Sequence, residues 1–256
     1  MKSVNFIAFQ TIAIKESVRF IRIWPQTLLP SVITMTLYYL IFGNLIGKRI
    51  GDMGGYSYIQ FIVPGLVMLS VITNSYTNVV ASFFSAKFQR YIDELIVSPT
   101  SSITILLGYV SGGMLRGILV GIMVILVSVF FTRLHIEHPL LTFSVIVLTA
   151  MLFALAGMLN GIFARKFDDV SIIPTFVLTP LTYLGGVFYS ISLLPPFWRT
   201  LSRLNPILYM VNAFRFGMLG TSDIEIKLAL AIILLLIGVL FFSNLYLLKK
   251  GTGIRT

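Results

Sequence analysis

The amino-acid sequence predicts an all-α integral membrane protein with six transmembrane helices. Three observations carry that reading. Of 256 residues, 57% are hydrophobic and 11% charged, where soluble domains carry about 25% charged residues. Apolar stretches recur along the whole chain, and about 20 residues suffice for a crossing. Prolines stand inside those stretches, at Pro64, Pro174 and Pro180. A soluble core helix loses a backbone bond and gains a clash at each such proline, whereas membrane helices tolerate them when neighbours satisfy the freed groups.

The same composition excludes other classes. Nineteen Lys and Arg against nine Asp and Glu fit basic membrane-protein loops better than a nucleic-acid surface. The chain has no cysteine, which rules out a disulfide framework or a thiolate metal site. No soluble domain remains once the apolar segments are removed.

Residues 1–23 predict an amphipathic helix lying on the inner membrane surface. Ile7, Ile14, Val18 and Ile21 fall on one face, Lys15, Arg19 and Arg22 on another. The interleaved charges and the lack of a small-residue cleavage site argue against a signal peptide. Trp24-Pro25 breaks the helix at the interface. The first span is expected over 26–46, a polar Gly-rich loop over 47–57, and the second span over 58–83 with a kink at Pro64-Gly65. Residues 103–131 form a third span, longer than an untilted crossing needs. A short loop over 132–139 leads to the fourth span, 140–163, and a charged loop to the fifth, 171–189. The last span covers 227–248, and a basic tail follows.

Counting only Lys and Arg sets the orientation. With the N-terminus inside, the inner segments hold eleven and the outer segments seven, with Arg116 inside a span. Both termini are therefore expected in the cytoplasm, which requires an even number of spans. The segment between spans five and six must then leave and return on the outer side. Asn205-Pro206 is a helix start, a capping side chain followed by proline at the first helical position. Gly217 and Gly220 are expected to end that helix. About fourteen residues span roughly 21 Å, too short to cross, so short helices are expected to dip into the outer leaflet.

Two patterns are candidates for function. In residues 86–99, Phe88, Tyr91, Ile92, Leu95 and Ile96 share one helical face, while Gln89, Arg90, Asp93 and Glu94 lie off it, and Pro99 ends the helix. Such a helix either docks on a soluble partner or merely connects two spans. The second pattern is polar striping within spans: Ser70, Thr73, Asn74, Thr77 and Asn78 in the second, Ser171, Thr175, Thr179 and Thr182 in the fifth, and Thr27, Ser31, Thr34 and Tyr38 in the first. These stripes either knit helices together or line a pathway. They hold no charge, which argues against proton or ion coupling. Arg116 stands beside Gly113, Gly117 and Gly121, whose spacing permits close helix approach. His135, Glu137 and His138 cluster in a loop with nothing to position them as metal ligands, so no metal site is expected. No P-loop, H-E-x-x-H motif or Ser-His-Asp set occurs, so the chain is expected to be no enzyme and to bind no cofactor of its own.

One run is more specific: Leu178-Thr179-Pro180-Leu181-Thr182-Tyr183-Leu184-Gly185-Gly186-Val187-Phe188-Tyr189, followed by Leu194-Pro195-Pro196 and Leu204-Asn205-Pro206. With the inner helix and the order of spans, the chain resembles the ABC-2-type permeases, membrane subunits of bacterial ABC exporters, over nearly its whole length. The resemblance implies a six-helix ABC transmembrane type-2 domain over 24–250 and a cytoplasmic tail over 251–256. It also implies an inner-membrane location, a second permease chain, and a separate ATP-binding subunit carrying ATP and Mg. Phe88, Gln89, Arg90, Tyr91, Asp93, Glu94 and Leu95 would form the coupling helix. The stripes at Ser70 and Thr175 would face the pathway. Pro195, Pro196, Trp198, Asn205, Pro206, Tyr209 and Arg215 would form the outer gate. An ATP-independent secondary transporter or channel is the other transport reading, and a scaffold without transport a third. The substrate is left open.

Overall fold

A computed structural model describes residues 2–134 and 136–253. The chain opens with α1 (Lys2–Arg22), and a single residue separates it from α2 (Trp24–Thr27) and α3 (Leu29–Tyr38). That helix widens into a π-helical stretch, Tyr39–Ile46, and ends in one further turn, α4 (Gly47–Ile50). A two-residue hairpin follows, β1 (Asp52–Met53) against β2 (Tyr56–Ser57), with Asp52 opposite Ser57. Its turn, Gly54-Gly55, has φ of 64° and 85°, a conformation tight hairpins need and only glycine adopts without strain. The stretch expected as an open loop over 47–57 is thus an ordered helix end plus hairpin.

The bundle proper consists of α5 (Tyr58–Phe88), α7 (Ser102–Ser128), α8 (Pro139–Phe163) and α13 (Ile226–Lys250), with α6 (Tyr91–Val97) between α5 and α7. After α8 come α9 (Phe167–Ile173), a π turn (Pro174–Leu178) and α10 (Thr179–Tyr183), then α11 (Pro196–Arg203) and α12 (Pro206–Leu219). Among the described residues, five helices are long and apolar enough to cross a membrane: Trp24–Gly43, Tyr58–Phe88, Ser102–Ser128, Pro139–Phe163 and Ile226–Lys250. The most apolar window of Tyr58–Phe88 is 78% buried, against 17% for the first and last of the five. The central helix is therefore α5, and the outer two carry the lipid-facing surface.

Glycines let the inner helices touch. A Cβ at Gly113 or Gly117 would sit 2.3 Å from Val79 Cγ2 or 1.8 Å from Ser75 Oγ, so α7 lies directly against α5. At Gly65, beside Pro64, a Cβ would lie 2.5 Å from the Val187 carbonyl oxygen. The helix continues through that proline, and the loop after α10 folds onto the space the glycine leaves.

Both ends of the described chain lie at one end of the bundle. Asn5 Oδ1 accepts from the Ser101 N–H at 3.0 Å, and Lys87 Nζ donates to the carbonyls of Ile162, Ala164 and Gly253. The opposite end holds the hairpin and α12, where the Tyr56 hydroxyl donates to Leu219 O and the His138 N–H to Gly217 O at 2.8 Å. Ala164 is at the first end, whereas Phe188 takes a bond from Tyr58 at the second, so the chain traverses the bundle through α9 and α10.

Two expected boundaries differ. The stretch 171–189 is a broken helix of 7, 5 and 5 residues that starts at Phe167, inside the loop expected over 164–170. Asp169 Oδ2 starts it early by accepting from the N–H groups of Arg165 and Lys166. Pro180 has no N–H and crowds the carbonyl four residues earlier, and the Thr179 N–H reaches back five residues to Pro174 O instead. Gly220, at φ 69°, ends α12; Gly217 does not, since it sits inside the helix against Thr142.

The N-terminal helix also packs differently from its apolar pattern. Ile7, Ile14, Val18 and Ile21 are exposed, and the face against α7 is Ile12, Glu16 and Phe20. Gly108 and Gly112 receive Ile12 and Glu16 at distances no other residue permits. Arg19 turns inward rather than toward the cytoplasm: its Nη2 donates to Glu16 Oε2 at 3.2 Å and to Asn78 O and Oδ1 at 3.0 Å. Nearby, Arg116 Nη2 donates to the Thr27 carbonyl at 2.9 Å, tying α7 to the break before α3. The Glu16 side chain is 1% exposed and has Arg19 as its ion-pair partner. Arg19→Ala strands that carboxylate, so the double variant Glu16→Ala/Arg19→Ala is expected to be about 1 kcal/mol more stable than Arg19→Ala alone. Thermal unfolding in detergent reads this. A double variant less stable than Arg19→Ala would show that the carboxylate does not depend on its partner.

Candidate functional site

The broken helix, α3 and α5 border an open-sided cavity of about 260 Å³. Thr73 and Thr77 of α5 form one wall, and Thr175, Thr179 and Thr182 form the other. Tyr38, Tyr183 and Phe188 line it as well. Tyr183 and Phe188 stack at 5.9 Å, and Tyr38 meets Phe188 edge-on at 5.8 Å. Among the described residues, no charged side chain lines the cavity. Thr77, Thr179 and Thr182 donate their hydroxyl protons to carbonyls of their own helices. The walls therefore present methyl groups, aromatic faces and hydroxyl groups. Such a surface accommodates a neutral or amphipathic group and gives an ion no counter-charge.

The stripe on α5 divides. Thr73 and Thr77 share one ridge and face the cavity; the adjacent ridge holds Ser70, Asn74 and Asn78, all buried. Asn78 Oδ1 accepts from Arg19, and Asn74 Nδ2 donates to Ser31 Oγ and Ser70 O at 2.9 Å. Ser70 and Asn74 border an adjoining shallow cleft with Ser31 and Thr34, which shares Tyr38, Leu69 and Thr73 with the cavity. Of the eight residues expected along a pathway, five line the cavity, Asn74 and Asn78 bond to neighbouring helices, and the Ser70 hydroxyl donates to Leu66 O of its own helix. Neighbouring residues on a helix differ by about 100°, enough to send adjacent polar side chains to different neighbours. Ser171 lies off the cavity, its hydroxyl donating to Asp168 O at 2.8 Å.

The helix expected over 86–99 is shorter than its pattern. Phe88 ends α5 and packs on Phe84 and Phe167, with ring centroids 5.9 and 4.9 Å away. Gln89 and Arg90 form a turn, with Arg90 in the left-handed region at φ 63°. A non-glycine residue there costs on the order of 1–3 kcal/mol and persists only where its surroundings hold it. The turn re-aims the chain, and α6 starts afresh at Tyr91. Ile92 is buried and Leu95 half-buried, while Tyr91, Asp93 and Glu94 are exposed. The apolar face thus splits: Ile92 anchors α6, and Tyr91 stays outside with the two carboxylates.

The residues expected at an outer gate lie on α11 and α12. Pro195 and Pro196 start α11, and Trp198 is 46% exposed on it. Asn205 caps α12 by accepting from the Ile207 N–H at 3.0 Å, Pro206 opens that helix, and Asn205 Nδ2 holds it to Leu181 O of α10. The Tyr209 hydroxyl donates to Arg203 O at 2.7 Å, and Arg215 is buried. His135 lies outside the described residues. His138 stacks on Phe216 at 5.1 Å, and among the described residues no group of three His, Cys, Asp or Glu could hold a metal.

A family model described as ABC-2 type transporter matches residues 7–219, from within α1 to the end of α12. The chain belongs to that family. It is similar over all of both chains, at 55% identity, to the inner membrane transport permease YadH of Escherichia coli strain K12. It is 25% identical to nodulation protein J of Neorhizobium galegae over 96% of this chain and 90% of that one. This ABC-2 type chain is thus a multi-pass membrane protein of transport-permease type, and the match takes in every wall of the threonine cavity. Tyr183, Phe188 and Glu16 were not singled out by sequence reasoning. For Glu16 a signal existed: it is the one acidic residue in the α1 sequence.

Proposed function

We propose that the chain is the permease subunit of an ATP-binding-cassette exporter of the bacterial inner membrane. Two copies pair, each engages a separate ATPase that carries ATP and Mg, and substrate moves by alternating access. The observation that carries this reading is the uncharged cavity between α5 and a helix interrupted at Pro174 and Pro180. A helix broken by a π turn and two prolines is a natural place for two arrangements of one wall. The absence of charge in that wall favours drive by a partner over ion coupling.

The chain traverse through α9 and α10 makes six spans with the five long helices, and both termini then face the cytoplasm. The end that holds them carries α6, whose exposed Asp93 and Glu94 meet the ATPase. The inner-membrane assignment follows the name of the full-length relative YadH. Membrane lipid bathes the exposed apolar faces of α1 and α13, and α11 and α12 close the cavity toward the outside.

The test is a mild-detergent pull-down of the tagged chain from its native membrane. A P-loop ATPase is expected in equal amount. Asp93→Lys/Glu94→Lys is expected to lower its recovery on the order of tenfold or more, because reversed charges at a docking surface repel the same partner. A chain that purifies alone and transports in vesicles without ATP would instead establish an ATP-independent transporter or channel.

A further inference from the structure

A second cavity, of about 640 Å³, lies at the end of the bundle that holds both ends of the described chain. Phe88 and Phe163, the last residues of α5 and α8, line it together with Phe84, Lys87, Arg90 and Arg165. Two helices long enough to cross a membrane thus end at this cavity, which sets it at headgroup depth. Its walls hold three cations and, among the described residues, no carboxylate.

The three cations differ in what they can still bind. The Lys87 ammonium donates to the carbonyls of Ile162, Ala164 and Gly253, so it caps α8 and has no proton to spare. Arg90 and Arg165 are exposed, and among the described residues no hydrogen bond or ion pair engages either guanidinium. Asp169 feels the Arg165 charge, but its Oδ2 accepts from the N–H groups of Arg165 and Lys166, and it does not line the cavity. The exposed Asp93 and Glu94 of α6 also lie off its wall.

The backbone of Arg90 is an independent observation. Among the described residues it is the one non-glycine at positive φ, 63°. Glycine or asparagine would make the same turn at lower cost, so the turn by itself does not account for an arginine. Strain of this kind collects at ligand clamps and switch regions. Phe88 and Phe163 are exposed at the edge of the cavity, and Phe167 packs on Phe88 beside them, so apolar surface adjoins the two uncommitted guanidinium groups.

We propose that this cavity binds the headgroup of an anionic phospholipid. The phosphodiester oxygens accept from Arg90 and Arg165, and the acyl chains run along the exposed phenylalanines. The guanidinium fork matches phosphate oxygens. A lipid of net negative charge is favoured over a zwitterionic one, because the wall has no carboxylate to meet a lipid ammonium. The lipid belongs to the inner leaflet in the orientation proposed above, but the binding itself does not rest on that orientation or on an ATPase partner.

The purified full chain is melted in detergent with short-chain phosphatidylglycerol, with phosphatidylcholine of the same chain length, and with inorganic phosphate. A rise in Tm of about 3 °C is expected with phosphatidylglycerol at saturation, and none with the other two. Arg90→Asn/Arg165→Gln is expected to abolish the rise and still fold, since asparagine tolerates the left-handed turn and Arg165 is exposed. Lys249→Gln/Lys250→Gln removes two charges from the same end of the bundle but not from the cavity wall, and is expected to keep most of the rise. An equal rise with phosphatidylcholine would show that acyl chains alone bind, and an equal rise with inorganic phosphate that a free anion suffices; either overturns the proposal. No rise with phosphatidylglycerol, or a rise lost equally in the lysine variant, overturns it too. A rise that survives the arginine variant while ATPase recovery is lost would assign the two arginines to a protein partner instead.

Discussion

Leucine in place of Thr73, Thr77, Thr175 and Thr179 is expected to abolish transport while the chain still folds and still captures its ATPase. The four side chains face one another across the cavity of about 260 Å³, so four isobutyl groups fill much of the space a substrate needs. The stability cost is expected to be small. The Thr77 and Thr179 hydroxyls bond only carbonyls of their own helices, so their removal strands no partner across an interface. Substitutions free of such partners usually lie within about 0.5 kcal/mol of neutral. Transport in proteoliposomes with the ATPase present, set beside the yield of the assembled complex, reads both halves. Retained transport would mean that substrate travels elsewhere. Lost assembly would mean that this face packs against a neighbour rather than lining a path.

Gly157→Leu is expected to prevent folding. Gly157, on α8, meets α5 backbone to backbone. A Cβ there would lie 2.5 Å from the Tyr76 carbonyl oxygen and 3.2 and 3.3 Å from the carbon and Cα of the same residue. A flexible side chain can swing away from such a clash, but a helix backbone cannot. The two central helices would have to separate, a cost of about 3 kcal/mol or more. Gly238 on α13 is the control, since nothing lies within 4 Å of a Cβ built there. Gly238→Leu should give a normal monodisperse peak, and Gly157→Leu should give aggregate or a Tm lowered by roughly 10 °C. Equal behaviour of the two variants would show that α5 and α8 tolerate a wider spacing.

The two predictions differ in how far the sequence alone supports them. Thr175, Thr179 and Thr182 can be read as one polar face from their spacing, and the structure places all three in the cavity. The stripe on α5 cannot be resolved in the same way. Thr73 and Asn74 are adjacent and equally polar, yet one faces the cavity and the other bonds Ser31. Hydropathy shows that a polar group avoids lipid; which of two non-lipid surroundings receives it depends on the helices beside it. The N-terminal helix teaches the same lesson from the apolar side. Ile7, Ile14, Val18 and Ile21 form the stronger apolar stripe and stay exposed, whereas Glu16 is fully buried. An interfacial helix has two apolar neighbours, lipid and protein, and a hydrophobic pattern does not distinguish them.

By itself the sequence determined the class, the order of the long helices and the breaks at Pro174, Pro180 and Asn205-Pro206. These depend on local chemistry: length and hydropathy for the spans, missing N–H groups at Pro174 and Pro180, and the cap and proline at Asn205-Pro206. The sequence run around Thr179 to Tyr189 also sufficed to suggest the family. Only the tertiary structure decided that Arg90 splits the inner helix, that Arg19 reaches Glu16 and Asn78 rather than water, and that Arg215 is buried with unmet donors beside a cavity. The bonds of Arg19 to Asn78 and of Arg215 to Gly186 join residues 59 and 29 apart in the sequence. Such contacts arise only when the helices close on one another, and no local pattern encodes them.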